Sequence, residues 1–230
     1  MKKFFSGLLA AASLFSFCAF GFVSKAEEKL PEETAQETKV SKDTELVFII
    51  DKSGSMTGLE SDTIGSFNSL IEEQKKDTEH GKVYVTTVLF DNNHSKLHDR
   101  EDIENVKEMA KGDYRPSGRT ALLDAVGDTL TNLSQVEGIK DRNVVVAIIT
   151  DGYENSSRKY TKEQVKDLIE THQKDGWNIL FFGAGIDAFS EGGNIGIPKN
   201  LTFNVNHDAN GMVFTFGNIC ERVTAIRAGK

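Results

Sequence analysis

Within residues 44–230 two long stretches are apolar without interruption, residues 46–50 and 144–149, and a third, 177–182, is broken only by Asn178. A strand with one covered face alternates apolar and polar residues. A continuous run implies cover on both faces, as in a parallel sheet. Residues 83–90 and 201–205 predict two further strands. Between the runs, apolar positions recur at helical spacing: Ile64, Phe67, Leu70 and Ile71; Leu122, Val126, Leu130 and Leu133; Val165, Leu168 and Ile169 with His172. The last stripe, Met212, Phe216, Ile219, Cys220, Val223 and Ile226, predicts a closing helix with one apolar side. Strands alternating with helices predict a doubly wound, mostly parallel α/β sheet with helices on both faces. Residues 94–100 follow 83–90 after a short polar turn, so one antiparallel edge strand is expected.

Composition then divides the chain. Met1-Lys2-Lys3 is a basic start, residues 4–23 are apolar or small, and Ser24-Lys25-Ala26 offers small residues before a sharp change to Glu27-Glu28. Residues 1–26 read as a secretory signal peptide, for a secreted, cell-surface or periplasmic protein. An uncleaved N-terminal membrane anchor is the alternative. Lipidation at Cys18 is disfavoured by the bulky Phe17 before it. Residues 27–43 carry little to bury and read as an acidic, polar tether. Residues 44–230 suit one α/β domain.

Loss of residues 1–26 would remove three lysines and no acid, taking the net charge from −8 to −11. That balance argues against nucleic acid and against electrostatic attraction to anionic lipid. It would also leave Cys220 without a disulfide partner, and its place on the last apolar stripe suits a core thiol.

The candidate chemistry begins where the first apolar run stops. Asp51-Lys52-Ser53-Gly54-Ser55 places three oxygen-bearing side chains at alternate positions of a glycine-containing turn. Oxygens converging at a strand end suit a hard divalent cation. Gly118-Arg119-Thr120 precedes a helical stripe, and Thr150-Asp151-Gly152 closes the run 144–149.

With these pieces in order, residues 44–230 resemble the von Willebrand factor A (vWA) family. The resemblance implies a metal-ion-dependent adhesion site made of Asp51, Ser53, Ser55, Thr120 and Asp151. It further implies that Ser53, Ser55 and, in some states, Thr120 touch the metal, while Asp51 and Asp151 act mostly through water. Neutral hydroxyls leave much of the ion's charge uncompensated, so an open position seeks an Asp or Glu of a protein partner. Mg²⁺ suits such a site and Mn²⁺ could substitute.

Each piece also has a plainer reading. Asp51 could cap a turn, Thr120 could cap a helix beginning at Ala121, and Asp151 stands in a common Asp-Gly turn. Arg119 and Tyr153 are rim candidates for contact with a ligand, and Asp91-Asn92-Asn93 and residues 113–116 are turns that could border the same face. His94 and His98 read as solvated loop histidines. Neither His80 nor His207 has a partner pattern. Gly183-Ala184-Gly185 reads as room for backbone near the metal loops.

Three functions follow. The first is a non-enzymatic binding module for adhesion or complex assembly. The second is a phosphohydrolase with Asp51 as nucleophile, disfavoured because Ser53 stands where the second acid belongs. The third is a scaffold with a purely structural metal.

Overall fold

The computed structural model of the protein describes residues 42–230. The signal expected over 1–26, and all of the tether but Lys42 and Asp43, lie outside the described residues. Six strands form one sheet: β1 (Thr44–Asp51), β2 (Val83–Phe90), β3 (His94–Asp102), β4 (Asn143–Thr150), β5 (Asn178–Ala184) and β6 (Thr202–Val205). Their order is β3-β2-β1-β4-β5-β6. All pairs are parallel except β2 with β3. Among the described residues the α-helices are α1 (Glu60–Lys75), α2 (Leu122–Ser134), α3 (Lys162–Lys174), α4 (Ala188–Asn194) and α5 (Ala209–Arg227). Among the described residues no helix is long and apolar enough to cross a membrane.

Period-two alternation sends successive residues of β1 to opposite layers. Leu46, Phe48 and Ile50 join the layer of α1 and α5, while Val47 and Ile49 join that of α2 and α3. Phe67 of α1 sits edge-on to Phe48, with centroids 5.2 Å apart, and edge-on to Phe216 of α5 at 6.3 Å. Each such pair adds about 0.5–1.5 kcal/mol beyond burial.

Helix α4 was not visible in the apolar pattern. It has seven residues, two of them the glycines Gly192 and Gly193, and Asp187 caps it through the Ser190 amide. His98 also departs from expectation. It is buried within β3 and lies parallel to the Phe67 ring, with centroids 6.0 Å apart. Its nitrogens meet Thr87 Oγ1 and the Lys107 carbonyl, each at 3.1 Å. Burial holds its pKa below the usual value, favouring a neutral ring. Cys220 is half-buried, with Gln74 Nε2 3.3 Å from its sulfur.

Candidate metal centre

Strand order reverses between β1 and β4, which lie side by side and flank the switch point. In an open α/β sheet the crevice beyond the carboxyl ends of those two strands is where ligands bind. Asp51 ends β1 and Asp151 follows β4, so the fold brings both carboxylates to that crevice.

The turn after β1 is shaped by Asp51 itself. Its Oδ1 accepts the Ser53 amide at 2.6 Å, and Oδ2 accepts the Thr150 hydroxyl at 2.6 Å. The Asp51 carbonyl accepts the buried Tyr114 hydroxyl at 2.5 Å. Fully buried, the Asp51 carboxyl is pushed up to about 6, mainly by desolvation; the hydrogen bonds from Thr150 and Ser53 offset only part of that.

From this turn the oxygens form a chain. Ser53 Oγ lies 3.1 Å from Ser55 Oγ, and the Ser55 hydroxyl donates to Asp151 Oδ1 at 2.7 Å. Thr120 lies beside the Asp151 turn. A methyl group on Gly152 would stand 2.6 Å from Thr120 Oγ1, so Gly152 is what lets the Asp151 turn close over that hydroxyl. Ser53 and Thr120 are buried, while Ser55 is open to solvent. Among the described residues no group of three or more His, Cys, Asp and Glu is arranged to hold a metal.

Thr120 is not a helix cap. Helix α2 starts at Leu122, with Ala121 at the cap position and no side-chain bond from it. Glu154 serves that helix instead, accepting the Leu123 amide at 3.0 Å. The Thr120 backbone is tied to Asn155 in both directions, amide to Asn155 Oδ1 and carbonyl to the Asn155 amide, each at 3.1 Å. Loop joins loop through the main chain as well: the Ser117 amide donates to the Lys52 carbonyl at 2.8 Å, and the Gly54 amide to the Gly118 carbonyl at 3.2 Å.

Arg119 and Tyr153 are exposed, Tyr153 by 54%. The turn 91–93 does border the face: Asp91 pairs with Lys52, and Asn92 Oδ1 accepts the Arg119 amide at 2.5 Å. In the other turn Tyr114 is buried and supports the site from below. Gly183 makes room for Ala188 of α4 rather than for the loops of the site. Two residues escaped the sequence reading. Thr150 was seen only as the neighbour of Asp151. His207 places Nε2 2.8 Å from Asp151 Oδ2 across 56 positions of chain, and local spacing carries no signal for such a contact.

The profile of the von Willebrand factor type A domain matches residues 45–215. The chain belongs to that family. Solved structures share the vWA fold at low identity. The vWF domain of the type V pili tip protein Mfa5 from Porphyromonas gingivalis is 12% identical with a TM-score of 0.60, covering 82% of this chain and 97% of that one. Proximal thread matrix protein 1 from the mussel byssus, with a zinc occupied MIDAS motif, is 17% identical at 0.56, covering 80% of this chain and 46% of that one. The manganese-loaded TRAP protein of Plasmodium vivax is 18% identical at 0.52, covering 76% and 72%. This chain thus spans less than half the length of the mussel protein. No curated protein matches it. At these identities the likeness speaks for the fold alone.

Proposed function

We propose that the chain is an exported vWA binding module in which Ser53, Ser55 and Thr120, backed by Asp51 and Asp151, hold a divalent cation that receives an Asp or Glu of a partner protein. The oxygen spacing carries the reading. Adjacent ligands of an octahedral Mg²⁺, with bonds of about 2.0–2.1 Å, stand about 2.9 Å apart. Ser53 Oγ to Ser55 Oγ, the two serine hydroxyls that would touch the ion, is 3.1 Å. All five donors are oxygens, which suits Mg²⁺ or Mn²⁺. Solved vWA structures loaded with zinc and with manganese fit the same reading.

When bound, the ion supplies a coordination position attractive to an anionic oxygen. The protein's residues do the rest. Buried Asp51 is mostly ionised at neutral pH and supplies charge behind the hydroxyls. The main-chain bonds from Ser117 and to Gly118 hold the serine turn in place. Exposed Ser55 faces the incoming group, with Arg119 and Tyr153 on the rim. The apolar run within residues 4–23 suits export, a setting in keeping with an adhesion or assembly role. Against a phosphohydrolase, each Asp51 oxygen already accepts a hydrogen bond, from the Ser53 amide and from Thr150, and Ser53 stands where an acid–base carboxylate would be needed.

Calorimetric titration with Mg²⁺ and Mn²⁺ after chelator treatment tests this, beside the Ser53→Ala/Ser55→Ala double variant. One saturable ion, lost in the variant, is the expected result. A folded wild type that takes up neither ion would sink the reading.

A further inference from the structure

From the contact between His207 and Asp151 we infer that His207 is a positioning residue of the metal site. The inference rests on the metal reading above and adds a sixth residue to it. Asp151 divides its oxygens: Oδ1 accepts Ser55 Oγ at 2.7 Å and Oδ2 faces His207 Nε2 at 2.8 Å. With the proton on Nε2 the ring donates to that oxygen. The terminal torsion of an aspartate is broad. Two donors on opposite oxygens fix it and keep Oδ1 turned toward the serines. The Asp151 side chain is 1% exposed and that of His207 37%, so the imidazole also covers the outer side of the carboxylate.

The corner that delivers His207 is built to hold it. It lies between β6 and α5, where Asp208 caps the helix by accepting the Gly211 amide at 2.8 Å. A methyl group on Gly211 would come within 1.8 Å of the Asn206 carbonyl oxygen, so only glycine lets the helix start this close to the strand end. The Gly185 amide ties the same corner to β5 through the Val205 carbonyl at 3.0 Å. The backbone on both sides of His207 is therefore fixed, and the ring reaches Asp151 from a rigid base. Partners that orient metal-binding carboxylates change affinity by about 10–100-fold when removed.

The test measures Mg²⁺ and Zn²⁺ affinity by calorimetry for wild type, His207→Ala, His207→Asn and His207→Gln, with thermal unfolding to confirm folding. Gln places an amide N–H close to the position of Nε2, whereas Asn is too short to reach. The expected result is a loss of about 10–100-fold for both ions in the Ala and Asn variants, with recovery to near wild type in the Gln variant. A purely structural role would not separate Gln from Asn in this way. Unchanged affinity in His207→Ala, with the wild type binding, overturns the inference and leaves the metal reading standing. A loss confined to Zn²⁺ also overturns it, because His207 would then be a direct nitrogen ligand. A wild type that binds no ion removes both.

Discussion

Asp51→Asn separates what the site costs the fold from what it does. Burial raises the Asp51 carboxyl from 3.8 to about 6, and two pKa units correspond to about 3 kcal/mol. The shift is upward, so the proton stabilises the folded state. That contribution is complete below pH 3.8, declines as pH rises, and is gone above about 6. At pH 8 the metal-free protein therefore carries an ionised, desolvated carboxylate. Asparagine keeps the shape without the charge: its Oδ1 can accept the Ser53 amide, and its N–H₂ can donate to Thr150 Oγ1. In chelator at pH 8 the variant should be more stable than wild type by up to about 3 kcal/mol, roughly 2–4 °C in melting temperature for each kcal/mol. By pH 4 the gain should shrink toward zero. In Mg²⁺ at about 1,000 times its Kd the order should reverse, since that excess adds about 4.1 kcal/mol to wild type alone. Thermal or urea unfolding at both pH values, with chelator and with Mg²⁺, reads all of these. A variant less stable than wild type in chelator at pH 8 would refute the reasoning.

Two further substitutions probe the support of the site. Tyr114→Phe removes the buried donor to the Asp51 carbonyl and should cost about 1–3 kcal/mol; a lower urea midpoint at unchanged slope is the expected signature, and an unmoved midpoint contradicts it. Gly152→Ala drives a methyl group against Thr120 Oγ1 and should destabilise by about 1–3 kcal/mol while weakening Mg²⁺ binding in calorimetry. Wild-type affinity in that variant would mean Thr120 is not part of the donor set.

Much of the fold was legible because burial on both faces writes itself into sequence as uninterrupted apolar runs. Residues 46–50 and 144–149 lie inside β1 and β4, and the polar turn before His94 marked the antiparallel edge. Helix α4 was missed because seven residues with two glycines give no stripe to count. His98 carries no such signal, because a ring with both nitrogens satisfied can be buried and its partners at Thr87 and Lys107 belong to tertiary structure. The same division holds at the site. The alternation of Asp51, Ser53 and Ser55 is local and could be seen. Release of Thr120 from capping depends on Glu154, and anchoring of Asp151 depends on His207; both arise from the meeting of distant loops.

The two ends of the folded unit share one edge, opposite the carboxylates. Arg227, closing α5, donates to the Gln74 and Asp77 carbonyls beside Gly81, and Gly81 in turn abuts Lys42, just ahead of β1. A module held at that edge turns its binding loops outward. If the proposed site binds a partner while the chain is held ahead of Thr44, tension between the two would run along β1, the central strand, which is paired over its length with β2 and β4. Sliding β1 out means shearing both ladders at once rather than unzipping them rung by rung, so the strand that presents the grip is also the one best placed to bear the load.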